Sequence, residues 1–478
     1  MPCLGLFSGS PVTTAAHITI DHLRRERERL AWLTAKVGVL ARVVSYAARL
    51  VVIPLSLKLL GAERYGLWLT VGSLIAWLGM SDFGFSQGLV NAIAESSGRD
   101  DRAAIRRLVS TGFTLFALLS LILTLFVIPA SSWRPLERLL GVAGNPALAR
   151  DAHLLLLICG LFFAASLSLR AVDSVCQGLQ EGYLAAGSAI GAAALNLVAV
   201  AVLYWRGASL SAFALAMAAP SLLATAALGV YLFVIRHPDL RPSLRHWERS
   251  ALGTIVRFGG PLFVLQLANL AILYSMNLLI ANLLGAGEVP RYSVPYSLFM
   301  IVAGLCYLIV QPYIPAYAEA FRRGDVAWIR RRALKSLAIT TGLMATAGLV
   351  LVAVGRPLIR LWAGPSVVPE TELLFLMTVF SVLLVSAATN GVLLIGLGRV
   401  WAKALLQIAA SGIFVIAAWA MLPHLGLVAV PLAGIAAFIA DPVISLLYAL
   451  SFIRSRSQRS TPPPEPVPAS IIAAEYAD

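Results

Sequence analysis

The sequence predicts an all-α polytopic membrane protein of about twelve transmembrane helices, arranged as two six-helix lobes related by an internal repeat. Three observations carry this. Of 478 residues 59% are hydrophobic and only 13% charged, with a mean hydropathy of +0.84, which a water-exposed domain surface would not tolerate. Apolar runs of roughly 20 residues, the length that crosses a bilayer as a helix, recur along nearly the whole chain. Finally, a shift of 224 residues aligns Leu59-Leu60-Gly61-Ala62 with Leu283-Leu284-Gly285-Ala286, Ala92-Ile93-Ala94-Glu95 with Ala316-Tyr317-Ala318-Glu319, and the Asp101–Arg107 stretch with Asp325–Arg331. The matches include charged loop residues, so membrane composition alone does not explain them.

In chain order, residues 1–36 form a cytoplasmic leader in which the stretch from Asp21 to Trp32 reads as a charged helix, without the ordered features of a signal peptide. Six spans centred on 38–60, 65–92, 110–130, 152–176, 184–205 and 209–235 make the N-lobe, residues 37–235. Residues 236–257 are a cytoplasmic linker. Spans over 258–284, 292–316, 336–357, 372–395, 402–422 and 426–453 make the C-lobe, residues 258–453. The tail, 454–478, carries Pro462, Pro463, Pro464, Pro466 and Pro468 and has the composition of a disordered segment. Gly84 and Gly88 suggest a close-packing surface in span two, while the Gln311–Pro315 stretch interrupts span eight.

Lysine and arginine orient the chain, because positively charged loops stay cytoplasmic. With the N-terminus inside, Arg99, Arg102, Arg106 and Arg107, the linker arginines, the run Arg322 to Lys335, then Arg399, Lys403 and Arg454 all fall on the inner side, and both termini are cytoplasmic. The net charge of +14 then follows from topology and attraction to anionic headgroups, with no nucleic-acid partner required. Cys159, Cys176 and Cys306 fall within spans, so no disulfide framework is implied.

Six spans is an even number, so both halves enter the membrane from the same side and are related by an axis along its normal. Paired bundles of this kind hold a substrate between the halves and alternate access by rocking, a need that an enzyme does not have.

The candidate functional residues are polar groups inside apolar spans. Arg42 and Arg49, two helical turns apart on one face of span one, are costly at membrane depth unless they face a cavity or an anion. Under the same shift Arg42 corresponds to Gln266, Ser45 to Asn269, Arg49 to Leu273 and Ile53 to Asn277, so the matching face of the second half is polar and uncharged. Gln87 corresponds to Gln311. These amides either line a polar cavity or bind helices together, and the sequence leaves both readings open.

Asp82, counted along span two, lies at the depth of Arg42, and the two are expected to pair; Arg42 is then structural and Arg49 the freer cation. Arg170 and Asp173, three residues apart, are expected to form their own pair. Asp441, deep in span twelve with no basic residue on its helix, is a candidate for ion coupling, or else caps the backbone opened by Pro442.

The run Leu59-Leu60-Gly61-Ala62-Glu63-Arg64-Tyr65-Gly66-Leu67-Trp68, followed by Ser81-Asp82-Phe83-Gly84-Phe85 and Asn91-Ala92-Ile93-Ala94-Glu95, resembles the first helical hairpin of the polysaccharide (O-antigen, Wzx-like) flippases of the multidrug/oligosaccharidyl-lipid/polysaccharide (MOP) exporter superfamily. Phe83 replaces the leucine usual in that family. The resemblance is strongest over residues 38–110. It implies two six-helix lobes in a V and movement of an undecaprenyl-diphosphate-linked oligosaccharide from the inner to the outer leaflet of a bacterial inner membrane. Arginine forks suit a diphosphate, so Arg49 and Arg42 become its candidate ligands, with Gln87, Gln266, Asn269, Asn277 and Gln311 turned to sugar or water. The lipid-linked oligosaccharide, membrane lipids and other glycan-assembly membrane proteins are the partners this implies.

Other classes are narrowed by what is missing. The chain has no phosphate-binding loop of the G-x-x-x-x-G-K-[ST] type, its six histidines show no metal-ligand spacing, and no cofactor is expected. A glycan polymerase or glycosyltransferase would need catalytic acids on a sizeable outer segment, whereas the longest, residues 131–151, offers only Glu137 and Asp151. A multidrug exporter of the same superfamily is the stronger alternative, although organic cations favour an acidic cavity and this one is basic. The peptidoglycan-precursor flippases are more distant, since that family carries two further C-terminal helices.

Overall fold

The computed structural model describes residues 11–459, and the proline-rich tail lies outside them. Fifteen α-helices follow one another without a strand among the described residues: α1 (Pro11–Leu78), α2 (Phe85–Gly98), α3 (Arg102–Ser131), α4 (Pro135–Leu139), α5 (Pro146–Gly178), α6 (Gly182–Arg206), α7 (Leu210–Val230), α8 (Arg249–Leu284), α9 (Val289–Val310), α10 (Tyr313–Arg322), α11 (Val326–Ala363), α12 (Thr371–Gly396), α13 (Val400–Leu425), α14 (Ala429–Phe438) and α15 (Asp441–Arg459). Ten stretches are long and apolar enough to cross a membrane. Two of them, Trp32–Leu78 and Val400–Ser455, are 47 and 56 residues long and turn at Gly61 and Gly426, so each supplies two passes and the described residues make twelve.

The backbone itself repeats. Gly61 (φ 75°, ψ 172°) and Gly285 (φ 98°, ψ 155°) hold the same left-handed turn at the offset of 224, a conformation that a side chain would strain. At the same offset Asp101 accepts from the backbone N–H of Ala104 (2.8 Å) and Asp325 from that of Trp328 (3.0 Å), capping α3 and α11. By the turns after α5 and α12, where Gln180 and Gly398 both have positive φ, the offset has fallen to 218. The second half has lost about two helical turns' worth of length in between.

Internal contacts divide the chain into two units. The first comprises residues up to Val294 with Pro357–Pro369 and Leu422–Leu427; the second comprises Pro295–Arg356, Glu370–Met421 and the chain from Val428. The first unit is built on Ile93, Phe116, Leu167, Val172, Leu232 and Ile255. Helix α8 belongs to it and packs on α1, α2 and α3, so the sequence boundary at 258 falls inside a helix of this unit. The second is centred on Tyr317, Ile329, Leu393 and Ile453, with the Arg332 guanidinium 4.1 Å from the Tyr313 ring centre.

Prolines inside spans leave the carbonyl four residues earlier without its helical partner, and hydrocarbon offers no water in compensation. Two such carbonyls are satisfied from other helices. Pro220 of α7 frees Ala216, whose carbonyl accepts at 2.9 Å from the Asn196 amide of α6, oriented by its acceptors. Pro54 of α1 frees Leu50, whose carbonyl accepts at 2.7 Å from the indole Nε1–H of Trp362.

The linker is pinned to one end of α3. The backbone N–H groups of Ser243 and Glu248 donate to the hydroxyls of Ser110 and Thr111 (3.2 and 3.1 Å), and Arg107 pairs with Glu248 at 2.9 Å. Next to it, buried Glu181 accepts from Arg236 (3.0 Å) and His237 (3.1 Å). Burial opposes ionisation of this carboxyl, but the hydrogen bonds and charges of His237 and Arg236 outweigh it and hold its pKa below the ordinary glutamate value.

Candidate functional site

In the first unit, the α1 face identified from sequence is open where it is polar and closed where it is apolar. Arg42, Ser45 and Arg49 are exposed, while Ile53, one turn further on, is buried. Among the described residues neither arginine makes an ion pair with a carboxylate. Long cations left exposed on an otherwise apolar span are costly in lipid, so they need water or an anion beside them. Arg49 also lies within electrostatic reach of buried Tyr65.

The repeat partners on α8 follow the same pattern. Gln266 is half-buried and Asn269 and Leu273 are exposed, like Ser45 and Arg49 opposite them in the repeat. Asn277, at the place of buried Ile53, spends both ends of its amide: its Nδ2 donates to Ser73 of α1 (2.9 Å) and its Oδ1 accepts from Ser293 of α9 (2.6 Å). It acts as interhelical glue, one of the two roles the sequence left open. Gln87 stands exposed on α2; in the second unit, Gln311 lies half-buried at the break between α9 and α10.

Both expected pairings in this half are corrected. Buried Asp82 does not meet Arg42; its Oδ2 accepts from Arg170 of α5 at 3.2 Å, and its Oδ1 accepts from the backbone N–H and hydroxyl of Ser86 at 3.0 and 3.1 Å. Arg170 is thereby drawn to Asp82 rather than into an ion pair with Asp173, which feels its charge from nearby. The cause is a break in span two. Phe83 and Gly84 adopt φ of 48° and 76°, ending the helix and starting α2 afresh, so depth counted along a continuous helix placed Asp82 wrongly, and Gly84 supplies the left-handed N-cap of α2. A helix start leaves orphan N–H groups, one of which, that of Ser86, donates to the Asp82 carboxylate, and Arg170 balances its charge.

In the second unit a similar break at residues 439–440 separates α14 from α15, and Asp441 opens α15. The basic residue that its own span does not provide comes from α13, where the Lys403 Nζ lies 3.7 Å from its Oδ2. Positive-inside counting had assigned Lys403 to an inner loop; it is buried. Asn390 donates to the Pro442 carbonyl (2.7 Å) and to the Ser445 hydroxyl (3.2 Å), and Ser445 donates to the Asp441 carbonyl (2.7 Å). Among the described residues no three His, Cys, Asp or Glu side chains converge as metal ligands.

A family model described as polysaccharide biosynthesis protein matches residues 33–321, well over half the chain. The chain belongs to that family. No curated protein sequence matches it. Among solved structures it is similar to the inward-facing conformation of a multidrug resistance MATE family transporter of the MOP superfamily, with a TM-score of 0.76 and 17% identity over 90% of this chain and 100% of that one. It is also similar to the outward-facing conformation of such a transporter (TM-score 0.61, 16% identity, 91% of this chain and 96% of that one). A third is a MOP superfamily transporter from Pyrococcus furiosus, whose description says that reversed polarity of its binding pocket suggests a different function (TM-score 0.61, 16% identity, 90% of this chain and 95% of that one). At these identities the likeness concerns the fold. This member of the polysaccharide biosynthesis family is a multi-pass membrane protein with the fold of those transporters.

Proposed function

We propose that this transporter carries an undecaprenyl-diphosphate-linked oligosaccharide from the inner to the outer leaflet of a bacterial inner membrane, with both its termini cytoplasmic, by exposing its polar α1 and α8 faces to each side in turn. The observation that carries the reading is the pair of exposed arginines, Arg42 and Arg49, on an apolar span, neither of which meets a carboxylate among the described residues. A diphosphate cannot cross hydrocarbon unaided, and a guanidinium fork matches phosphate oxygens in charge and geometry. Gln266 and Asn269 offer neutral hydrogen-bonding groups suited to sugar hydroxyls. Membership of a family described as polysaccharide biosynthesis protein is in keeping with a glycan cargo.

A second reading, export of small organic compounds, is favoured by the multidrug transporters among the structural relatives. The two cargoes separate in one experiment. Deletion of the gene should make a lipid-linked glycan accumulate on the cytoplasmic face without changing sensitivity to cationic dyes. Altered dye efflux with no glycan accumulation would decide for the second reading.

A further inference from the structure

We propose that Lys403 and Asp441 form a proton-binding site in the second unit, at which a proton displaces the Lys403 ammonium from the Asp441 carboxylate. The side chains are 6% and 4% exposed, yet their closest approach is 3.7 Å, and neither the ammonium nor either carboxylate oxygen has a hydrogen-bond partner among the described residues. Burying two opposite charges is repaid only when the geometry is tight and the remaining donors and acceptors are satisfied, which is not the case here. Stability alone therefore does not account for the pair.

The surroundings are built to receive it. Gly391 leaves the space that the lysine stem fills, since a Cβ there would come within 2.9 Å of Cε. Arg399 stacks on the Phe452 ring at 4.1 Å, which sets those two at one level, and Asp441 lies about 16 Å further along α15 at 1.5 Å per residue. Lys403 begins only about 6 Å beyond Arg399 by the same measure. A lysine near the end of a span ordinarily snorkels out to water. This one is buried and reaches the other way, towards the carboxylate.

Among the described residues no other charged group competes for the site. Helix α14 contains no titratable residue; on α12 the only acid or base is Glu372, at the far end of the helix from Asn390; on α13 the other is His424, also at the far end. The acids and bases of α10 and the remainder of α15, Glu319, Arg322, Arg454, Arg456 and Arg459, belong to helix positions towards the Arg399 end. Asn390 and Ser445, the polar neighbours, are neutral and spend their donors on backbone and on each other. A metal cation is a poor fit, because an ammonium already stands at the carboxylate and Asn390 turns its donor side to the Pro442 carbonyl.

The step balances simply. An O–H bond of a hydronium ion breaks as its proton adds to a carboxylate oxygen of Asp441, water is left behind, and the site passes from neutral to one positive charge. The ammonium is then a buried cation without a counterion, which favours a conformation that returns it to water. The inference does not depend on which cargo is carried.

The test is an infrared pH titration of purified full-length protein, following the carboxylic C=O stretch, with no cargo added. Wild type should show a titrating carboxyl band that disappears in Asp441→Asn. In Lys403→Met the same carboxyl, freed of its competitor, should bind its proton at least tenfold more tightly. The double variant Lys403→Met/Asp441→Asn removes both buried charges and should fold as well as wild type, which gives a blank even if a single variant is poorly made. A titration in Lys403→Met identical to wild type, or a double variant that keeps the full band, overturns the proposal and leaves the cargo reading untouched.

Discussion

The indole Nε1–H of Trp362 donates to the backbone carbonyl of Leu50 at 2.7 Å, across 312 residues of sequence, and the carbonyl it satisfies is the one that Pro54 deprives of its helical partner. The contact fixes α1 one residue from Arg49. Trp362→Phe keeps the ring and loses the donor, so it should cost about 0.5–1.5 kcal/mol of stability, the net worth of one hydrogen bond. Thermal unfolding in detergent reads this. Restoring the helical donor with Pro54→Ala should make the same Trp362→Phe change nearly silent.

Removing Asp82 strands Arg170 and uncaps α2, so Asp82→Ala should destabilise by about 3–5 kcal/mol, the usual cost of breaking a buried pair. A double-mutant cycle with Arg170→Ala should show a coupling of about 0.5–3 kcal/mol, whereas Arg42→Ala and Asp82→Ala should add. Coupling to Arg42 and none to Arg170 would contradict the observed pairing.

Glu181 gives a pH signature. A carboxyl held below its ordinary value stabilises the fold at pH above its unfolded pKa of about 4.3, and that contribution is lost as pH falls through the lower, folded value. Glu181→Gln should therefore be less stable than wild type at neutral pH, with the gap closing in acid. Melting curves of both proteins between neutral and acid pH check the sign.

Reporters fused after Arg107, Arg245 or Arg331 should be cytoplasmic, and those after Arg138 or Arg360 external, as the distribution of basic residues requires. An external signal at Arg331 would break the assignment of six passes to the first half.

The spans were readable from sequence because hydrocarbon demands long apolar helices, and the repeat was readable because its turns depend on particular residues such as Gly61 and Gly285. The break in span two was not, since Phe83 at φ 48° has no local code for a left-handed turn. That one miss carried the pairing of Asp82 with it. Lys403 was placed in a loop because charge counting assigns a basic residue near a span end to water; the absence of a side chain at Gly391 was the signal that it could turn inward. For Trp362, Pro54 was the clue in the sequence, since a proline inside a span leaves a carbonyl in need of a donor. Of the candidate polar face, Arg42 and Arg49 are exposed, and Asn277 proved to be an interhelical tie because a depth match does not say which amides are already spent.

The central claim is that the α1 face receives an anionic, lipid-linked glycan, and Arg49 tests it most directly. Surface glycan should be measured in a flippase-deficient strain carrying variants at matched membrane abundance. Arg49→Ala should abolish export, Arg49→Lys, which keeps the charge but loses the fork, should export partially, and Leu273→Ala at the repeat position should export normally. Wild-type surface glycan from Arg49→Ala would contradict the account.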